Sequence, residues 1–374
     1  MKNRKKFHQL KVNTVRFETN EAVQIGFGIP KALQETFRFH PGQYLTIKVN
    51  VNGTLLRRAY SICSAVKEEN ISILIKRLAG GKVSNFLNDQ IKYNDQFEVL
   101  PPSGHFKLTL DKAHKAHYLF IGAGSGITPL MSMIQSMLDE EPESSCSLLY
   151  GSRNEQNTIY KNKLDRLQLV YGERFSVRYV LSRPEKQKVS GFSSLFTQPK
   201  LSWTGEIGRV DKPRIQSFLD KHQAKEIKGY FICGPGQMIE AAVNTLQEVG
   251  IDKSLIHREY FSAADTSTTV EVDTSNQVIR ATPSKVLITL DGLKKEVSIT
   301  NNTNIVQALL DNGVEPPYSC LEGTCSTCMA KIIKGEVRMD VSIGLEEDEK
   351  EKGYILTCQS HPITDEVELS YDID

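Results

Sequence analysis

The chain has 374 residues, enough for two or three domains, and its 24% charged and 39% hydrophobic residues are typical of a globular protein. No stretch approaches 18 uninterrupted apolar residues, so we expect no membrane insertion, and the basic start lacks the apolar segment of a signal peptide. We expect no nucleic-acid partner, and seven cysteines without a secretion signal argue for thiolates and a metal in the cytoplasm rather than for disulfides.

Short alternating segments rich in β-forming residues dominate the first part of the chain. Gln43–Val51 runs into the turn pair Asn52-Gly53, and Ile71–Arg77 and Gln96–Leu100 follow. Pro101-Pro102 then interrupts the pattern. We therefore predict an antiparallel β-barrel as the first domain, residues 1–112.

Two short motifs in this barrel are candidates for cofactor binding. Tyr60 can stack on a ring while Arg58 meets a phosphate, and Ser61 follows directly. About twenty residues later, Gly81 belongs to a glycine pair, and a helix starting near Ser84 would offer free N–H groups to a pyrophosphate. A buried strand tyrosine and a plain hairpin remain alternative interpretations of the two motifs.

The pattern changes at about residue 113, where apolar runs begin to alternate with helical segments. This alternation predicts an α/β domain with a doubly wound parallel sheet, residues 113–262. The predicted strands are Tyr118–Ile121, Ser147–Tyr150, Ser176–Leu181 and Tyr230–Cys233.

A glycine-rich turn follows the first of these strands and suggests a dinucleotide site. Gly122, Gly124 and Gly126 allow the backbone to approach a pyrophosphate, Thr128 can cap the next helix, and Pro129 suits its first position. The third glycine is displaced from its place in the Rossmann fingerprint.

The end of the next strand is where nicotinamide cofactors are distinguished. Ser152 and Arg153 lie there without an acidic residue, which favours the 2′-phosphate of NADPH over NADH. Lys161 or Lys163 could assist. The alternative is that Arg153 is an ordinary surface charge.

Cys233, Gly234 and Pro235 end another predicted parallel strand, at the sheet edge where ligands bind. A buried strand cysteine is the commoner role for a single cysteine, but the Gly-Pro context favours a site. Glu259 closes the domain and, by spacing alone, is only the end of a strand.

Four cysteines near the C-terminus have the spacing of a plant-type [2Fe–2S] ferredoxin. Cys320, Cys325 and Cys328 share one loop, and 29 residues separate Cys328 from Cys358. A structural zinc site would favour two Cys-x2-Cys pairs, and only one is present. We predict a linker over residues 263–283 and an α+β, β-grasp ferredoxin domain over residues 284–374.

Charge is unevenly distributed between these parts. Residues 284–374 contain 8 basic and 17 acidic residues, a net charge of −9, which leaves a net charge of +10 for residues 1–283. An acidic ferredoxin domain and a basic remainder could attract each other, although a merely solvated acidic turn is the alternative.

Together, the Arg-x-Tyr-Ser motif, the Gly-x-x-Ser motif, the nicotinamide domain and the cysteine loop resemble the ferredoxin–NADP⁺ reductase superfamily. The C-terminal ferredoxin domain is similar to that of reductase components of multicomponent oxygenases. This resemblance implies that Arg58, Tyr60 and Ser61 hold FAD, with Ser84 at its phosphate. It also implies that Cys233 and Glu259 lie near the flavin and nicotinamide rings. A related branch uses FMN, and we expect FAD.

The resemblance implies that NADPH reduces the flavin by hydride transfer and that single electrons then reach the cluster and a separate protein. It suggests a di-iron oxygenase that epoxidises a CoA thioester as the acceptor, although similar reductases serve other hydroxylases and desaturases. Two other hypotheses are a cluster-bearing redox-sensing module without turnover and a ferredoxin reductase whose zinc-bound tail is only structural.

Overall fold

The computed structural model describes residues 6–186, 201–262, 283–300 and 303–373. The predicted linker therefore lies almost entirely outside the described residues. None of the helices within these ranges is long and apolar enough to cross a membrane.

The N-terminal part is a six-stranded antiparallel sheet in the order β4-β3-β6-β1-β2-β5. Its edge strands are joined by a bridge between Ile62 and Ile73, which closes the sheet into the predicted barrel. Its elements are β1 His8–Thr19, β2 Ala22–Gly28, β3 Tyr44–Val51, β4 Thr54–Ser61, β5 Asn70–Lys76, α1 Lys82–Gln90 and β6 Gln96–Val99.

The second part is the predicted parallel sheet, in the order β10-β9-β8-β7-β11-β12, with helices on its faces. Its elements are β7 His117–Ala123, α2 Ile127–Glu140, β8 Ser145–Ser152, α3 Lys161–Tyr171, β9 Phe175–Leu181, β10 Glu206–Ile207, α4 Lys212–Asp220, β11 Ile227–Cys233, α5 Gly236–Glu248 and β12 Ile256–Glu259.

The C-terminal part is a mixed five-stranded sheet in the order β14-β13-β19-β15-β17, beside a separate two-stranded pair, β16 and β18. This is the expected α+β arrangement of a ferredoxin. Its elements are β13 Ser284–Leu290, β14 Leu293–Ile299, α6 Ile305–Asp311, β15 Met329–Lys334, β16 Val337–Met339, α7 Glu347–Glu351, β17 Tyr354–Leu356, β18 Ser360–Pro362 and β19 Glu366–Ser370.

The barrel and the parallel sheet share one hydrophobic core. Cys63 and Phe106 of the N-terminal part are buried together with Phe231 of β11 and with the inner face of α2. The rings of Phe106 and Phe231 meet edge-on, with centroids 6.0 Å apart. This shared packing holds the end of β4 against the carboxyl edge of the parallel sheet.

The start of α2 differs from the prediction. The helix begins at Ile127, and a short 3₁₀ turn over Gly124–Gly126 leads directly into it. Thr128 does not cap the helix; its hydroxyl donates to the carbonyl of Ser125 at 2.9 Å. Because the 3₁₀ turn already forms the helix entry, no side-chain cap is required there.

Candidate functional site

The cysteine loop lies between α6 and β15, and chain topology explains how the distant Cys358 joins it. Met329 pairs with Leu356 across β15 and β17, which places Cys328 beside Thr357 and Cys358. The hydroxyl of Thr357 donates to the Cys328 carbonyl at 2.8 Å. All four predicted ligands are therefore brought together.

The thiols of these cysteines contact one another and form no disulfide. The sulfur atoms of Cys320 and Cys325 are 3.1 Å apart. Hydrogen bonds from the thiols of Cys325 and Cys358 hold the pKa of Cys320 well below its usual value. Cys325, Cys328 and Cys358 are buried, while Cys320 is partly exposed.

The donor set and the loop around it fit a [2Fe–2S] cluster, which takes four thiolates. A Cβ atom on Gly344 would lie 2.8 Å from the Cys325 carbonyl, so the surrounding backbone needs glycine to close around the sulfurs. Among the described residues no three potential ligands converge on one point. A binuclear cluster does not require such convergence, because two irons share the four thiolates.

The predicted flavin residues lie at the end of β4 and at the start of α1. Arg58 donates to the carbonyl of its neighbour Arg57 at 2.7 Å, and Tyr60 packs against the barrel core. Gly81 is the residue before α1, which begins at Lys82 rather than at Ser84. The Ser84 hydroxyl is buried in this turn and accepts a hydrogen bond from the Leu78 N–H at 3.3 Å.

The two predicted nicotinamide turns contact each other at the carboxyl edge of the parallel sheet. A Cβ atom on Gly126 would lie 2.1 Å from the Cys233 carbonyl oxygen, and one on Gly234 would lie 3.1 Å from the Ala123 nitrogen. Gly124 has a left-handed backbone, with φ of +57°, and its carbonyl accepts from the Tyr150 hydroxyl at 3.0 Å. Glycine is required at position 126 because the two turns touch there through their backbones, and it is favoured at position 124 by the left-handed backbone.

The other predicted residues of the two turns lie near the end of a strand or at the start of a helix. Gly122 is the sixth residue of β7 and pairs with Cys233 across the sheet. Pro129 lies in the first turn of α2, and Pro235 precedes α5 directly.

Cys233 and Glu259 are cross-strand neighbours at the ends of β11 and β12. The Ser61 hydroxyl at the end of β4 donates to Glu259 Oε2 at 3.2 Å. Burial raises the pKa of Glu259 to about 8, and burial also raises the pKa of the Cys233 thiol well above its usual value. At neutral pH the two groups are therefore a protonated carboxyl and a neutral thiol, which can orient a ligand or hold a proton.

Arg153 lines a cavity of about 380 Å³ that also includes Ser182, Arg183 and Arg209. Ser152 lies at the end of β8, and its carbonyl accepts from the backbone N–H of Ser182 at 3.0 Å. Three arginines therefore line one cavity, and arginine is the side chain that pairs best with phosphate groups. The sequence interpretation found Arg153 but missed the other two arginines, which follow different strands.

The two lysines suggested as helpers have other partners. Lys161 pairs with Asp165 at 2.6 Å, and Lys163 lies 3.8 Å from Glu68. Neither lysine lines the cavity.

The cysteine loop also contacts the flavin barrel directly. The Tyr44 hydroxyl of β3 and the Thr327 hydroxyl are 2.9 Å apart. Tyr44 pairs with Ser61 across β3 and β4. The end of this strand pair therefore contacts the cysteine loop through Tyr44 and the nicotinamide domain through Ser61, a junction that no local sequence motif indicates.

Three family models match consecutive parts of the chain. They describe an oxidoreductase FAD-binding domain over residues 9–108, an oxidoreductase NAD-binding domain over residues 120–244 and a 2Fe-2S iron-sulfur cluster binding domain over residues 288–362. Their order is the order of the three predicted domains.

Similar proteins cover nearly the whole chain. The 1,2-phenylacetyl-CoA epoxidase of Escherichia coli K12 has a subunit that is 34% identical over 98% of both chains. The ferredoxin reductase component of 3-ketosteroid-9-alpha-monooxygenase from Mycobacterium tuberculosis is 32% identical over 97% of this chain and 96% of its own length.

Solved structures share the fold. Phthalate dioxygenase reductase, described as a modular structure for electron transfer from pyridine nucleotides to [2Fe-2S], matches with a TM-score of 0.54. It is 24% identical over 97% of this chain and 98% of its own. An intact type IV self-sufficient cytochrome P450 monooxygenase matches with a TM-score of 0.63 and 20% identity, covering 97% of this chain, which spans 41% of that longer protein.

Proposed function

Because the chain belongs to the family of FAD-, nicotinamide- and [2Fe–2S]-binding reductase components of multicomponent oxygenases, we propose that it uses NADPH to reduce a di-iron phenylacetyl-CoA epoxidase or a related hydroxylase. Arg58, Tyr60 and Ser61 would hold the flavin, which would supply the conversion of a two-electron donor to the one-electron chemistry of the cluster. The chain's own residues bind, orient and separate these groups.

One observation carries this proposal. The end of the β3–β4 pair contacts the nicotinamide domain through Ser61 and Glu259 and the cysteine loop through Tyr44 and Thr327. A flavin held at Arg58 and Tyr60 would therefore lie between its electron donor and its electron acceptor. This is the arrangement that a two-electron to one-electron converter requires.

The preference for NADPH rests on the arginine cavity. Arg153, Arg183 and Arg209 offer several donors to a 2′-phosphate, and arginine matches phosphate geometry better than lysine does. The acceptor is proposed from the similarity to the epoxidase component, which covers both chains almost completely. The cysteines form no disulfide, which favours the cytoplasm as the place of action.

An anaerobic titration of the purified protein with NADPH tests the function as a whole. We expect flavin and cluster absorbance that bleaches with about three electrons per chain, two for the flavin and one for the cluster. A redox-sensing module would not consume NADPH, and a zinc-filled tail would show flavin absorbance alone.

The variant Cys328→Ser tests the order of electron transfer. It should abolish reduction of cytochrome c and of the partner, because one of the four thiolates is lost, while flavin-dependent reduction of ferricyanide persists. Both activities are measured on folded, flavin-loaded protein. Loss of both together would contradict a linear path through the cluster.

A further inference from the structure

Arg57 of the flavin barrel is buried by the ferredoxin domain, and its side chain is only 5% exposed. One guanidinium nitrogen donates to the Pro316 carbonyl at 3.1 Å and another to Glu315 at 2.9 Å. The guanidinium carbon also lies 4.0 Å from the centre of the Tyr318 ring, within cation–π range.

The ferredoxin domain supplies a carboxylate that offsets the positive charges around Arg57. Lys48 lies directly opposite Arg57 in the register of β3 and β4, and two like charges in that position destabilise a sheet. Glu98 approaches Lys48 at 3.3 Å from within the barrel. Glu315 of the ferredoxin domain approaches both cations, at 3.9 Å from Lys48 and 2.9 Å from Arg57.

Arg57 is linked to both predicted electron-transfer sites, to one through the chain and to the other through its side-chain contacts. On one side it directly precedes Arg58 and the rest of the flavin motif. On the other side the segment that it contacts, residues 315–318, leads into Cys320. Tyr318 packs against the small core that contains Cys328 and Cys358.

From this geometry we infer that Arg57 is a positioning residue for internal electron transfer, fixing the ferredoxin domain so that the cysteine loop stays against the end of β4. The inference rests on the proposed function, because it assumes that the flavin and the cluster exchange electrons. The side chain of Arg57 acts through residues 315–318, while its backbone carbonyl accepts the hydrogen bond from Arg58.

The variant Arg57→Ala tests this role in protein loaded with flavin and cluster. After anaerobic mixing with NADPH, stopped-flow absorbance follows flavin reduction and cluster reduction separately. We expect cluster reduction to slow by about tenfold, because the ferredoxin domain loses the contact that fixes its position and orientation against the barrel, while flavin reduction stays within about twofold. Hydrogen exchange of residues 314–320 should increase, a readout that does not depend on turnover.

Two further variants separate positioning from folding. Arg57→Lys keeps the positive charge beside Glu315 but loses the planar guanidinium donors. Its rate of cluster reduction should therefore lie between those of the unchanged protein and Arg57→Ala. Tyr318→Leu changes the contact from the ferredoxin side and should slow the same step without altering the barrel. Arg38→Ala, at a side chain that is 81% exposed, is the matched control and should behave like the unchanged protein.

The outcomes distinguish this inference from the proposed function. If the unchanged protein fails to reduce its cluster from NADPH, the proposed function is wrong. Suppose instead that the unchanged protein reduces its cluster from NADPH. If Arg57→Ala or Tyr318→Leu, loaded with flavin and cluster, then reduces the cluster as fast as the unchanged protein does, the positioning role is wrong. An equal loss of flavin reduction and cluster reduction would also overturn it, because that would indicate a general structural defect.

Discussion

At the scale of single residues, Glu259 is a buried carboxyl whose pKa lies near neutrality. Burial raises its pKa to about 8 from 4.5, and the hydrogen bond from Ser61 acts in the opposite direction. The folded protein therefore retains a proton that the unfolded chain has already released. The free energy of unfolding should fall as pH rises from about 4.5 to about 8, because the native state binds more protons in that window.

This pH dependence is tested by replacing either partner. Glu259→Gln should remove the fall in stability, and Ser61→Ala should extend it to higher pH, since the hydrogen bond that lowers the pKa is lost. Urea midpoints between about pH 5 and pH 9 can be followed by the fluorescence of Trp203, the only tryptophan of the chain. Identical pH profiles for Glu259→Gln and the unchanged protein would show that the carboxyl is not held neutral.

At the scale of elements, the carboxyl ends of parallel strands bring distant arginines to one cavity. Arg153 follows β8 and Arg183 follows β9, and the backbone N–H of Arg183 donates to the Arg153 carbonyl at 2.7 Å. Arg209 follows the short strand β10. Because neighbouring strand ends share one edge of the sheet, three arginines far apart in sequence line one cavity.

We therefore expect the preference for NADPH over NADH to depend on more than one arginine. Arg153→Ala and Arg183→Ala should each raise the KM for NADPH by about 30-fold, since a charge-assisted phosphate contact is worth on the order of 2 kcal/mol. The KM for NADH should change little. Steady-state kinetics with both cofactors provide the measurement, and Arg166 of α3 is a control position outside the cavity. If the KM for NADH rose by the same factor as the KM for NADPH, the predicted preference for NADPH would be wrong.

The candidate residues that sequence motifs indicated all belong to short local patterns. Gly126, Cys233 and the four ligand cysteines belong to short patterns in which glycine, proline or spacing carries the information. Tyr44 and Arg57 could not be found in this way, because their contacts come from a ferredoxin domain more than 250 residues away in sequence. On a strand, such residues look like any other part of the alternating pattern.

At the scale of the whole molecule, the opposite charges of the two parts meet at specific contacts. Glu315 of the ferredoxin domain lies 3.9 Å from Lys48 and 2.9 Å from Arg57 of the barrel. Most of the remaining contact is not ionic. The Arg57–Tyr318 stacking, the hydrogen bond to Pro316 and the Tyr44–Thr327 pair are largely insensitive to salt.

Ionic strength should therefore weaken domain docking only in part. The Glu315 side chain is 68% exposed, so its attraction to Lys48 and Arg57 is screened as salt rises from about 0.05 M to about 0.5 M. An exposed ion pair contributes roughly 0.2 to 1 kcal/mol, which predicts at most about a fivefold slowing of cluster reduction in the unchanged protein. Glu315→Gln should be slower at low salt and nearly independent of salt, as stopped-flow measurements of cluster reduction can determine. If both proteins show the same salt dependence, Glu315 does not provide the ionic part of domain docking.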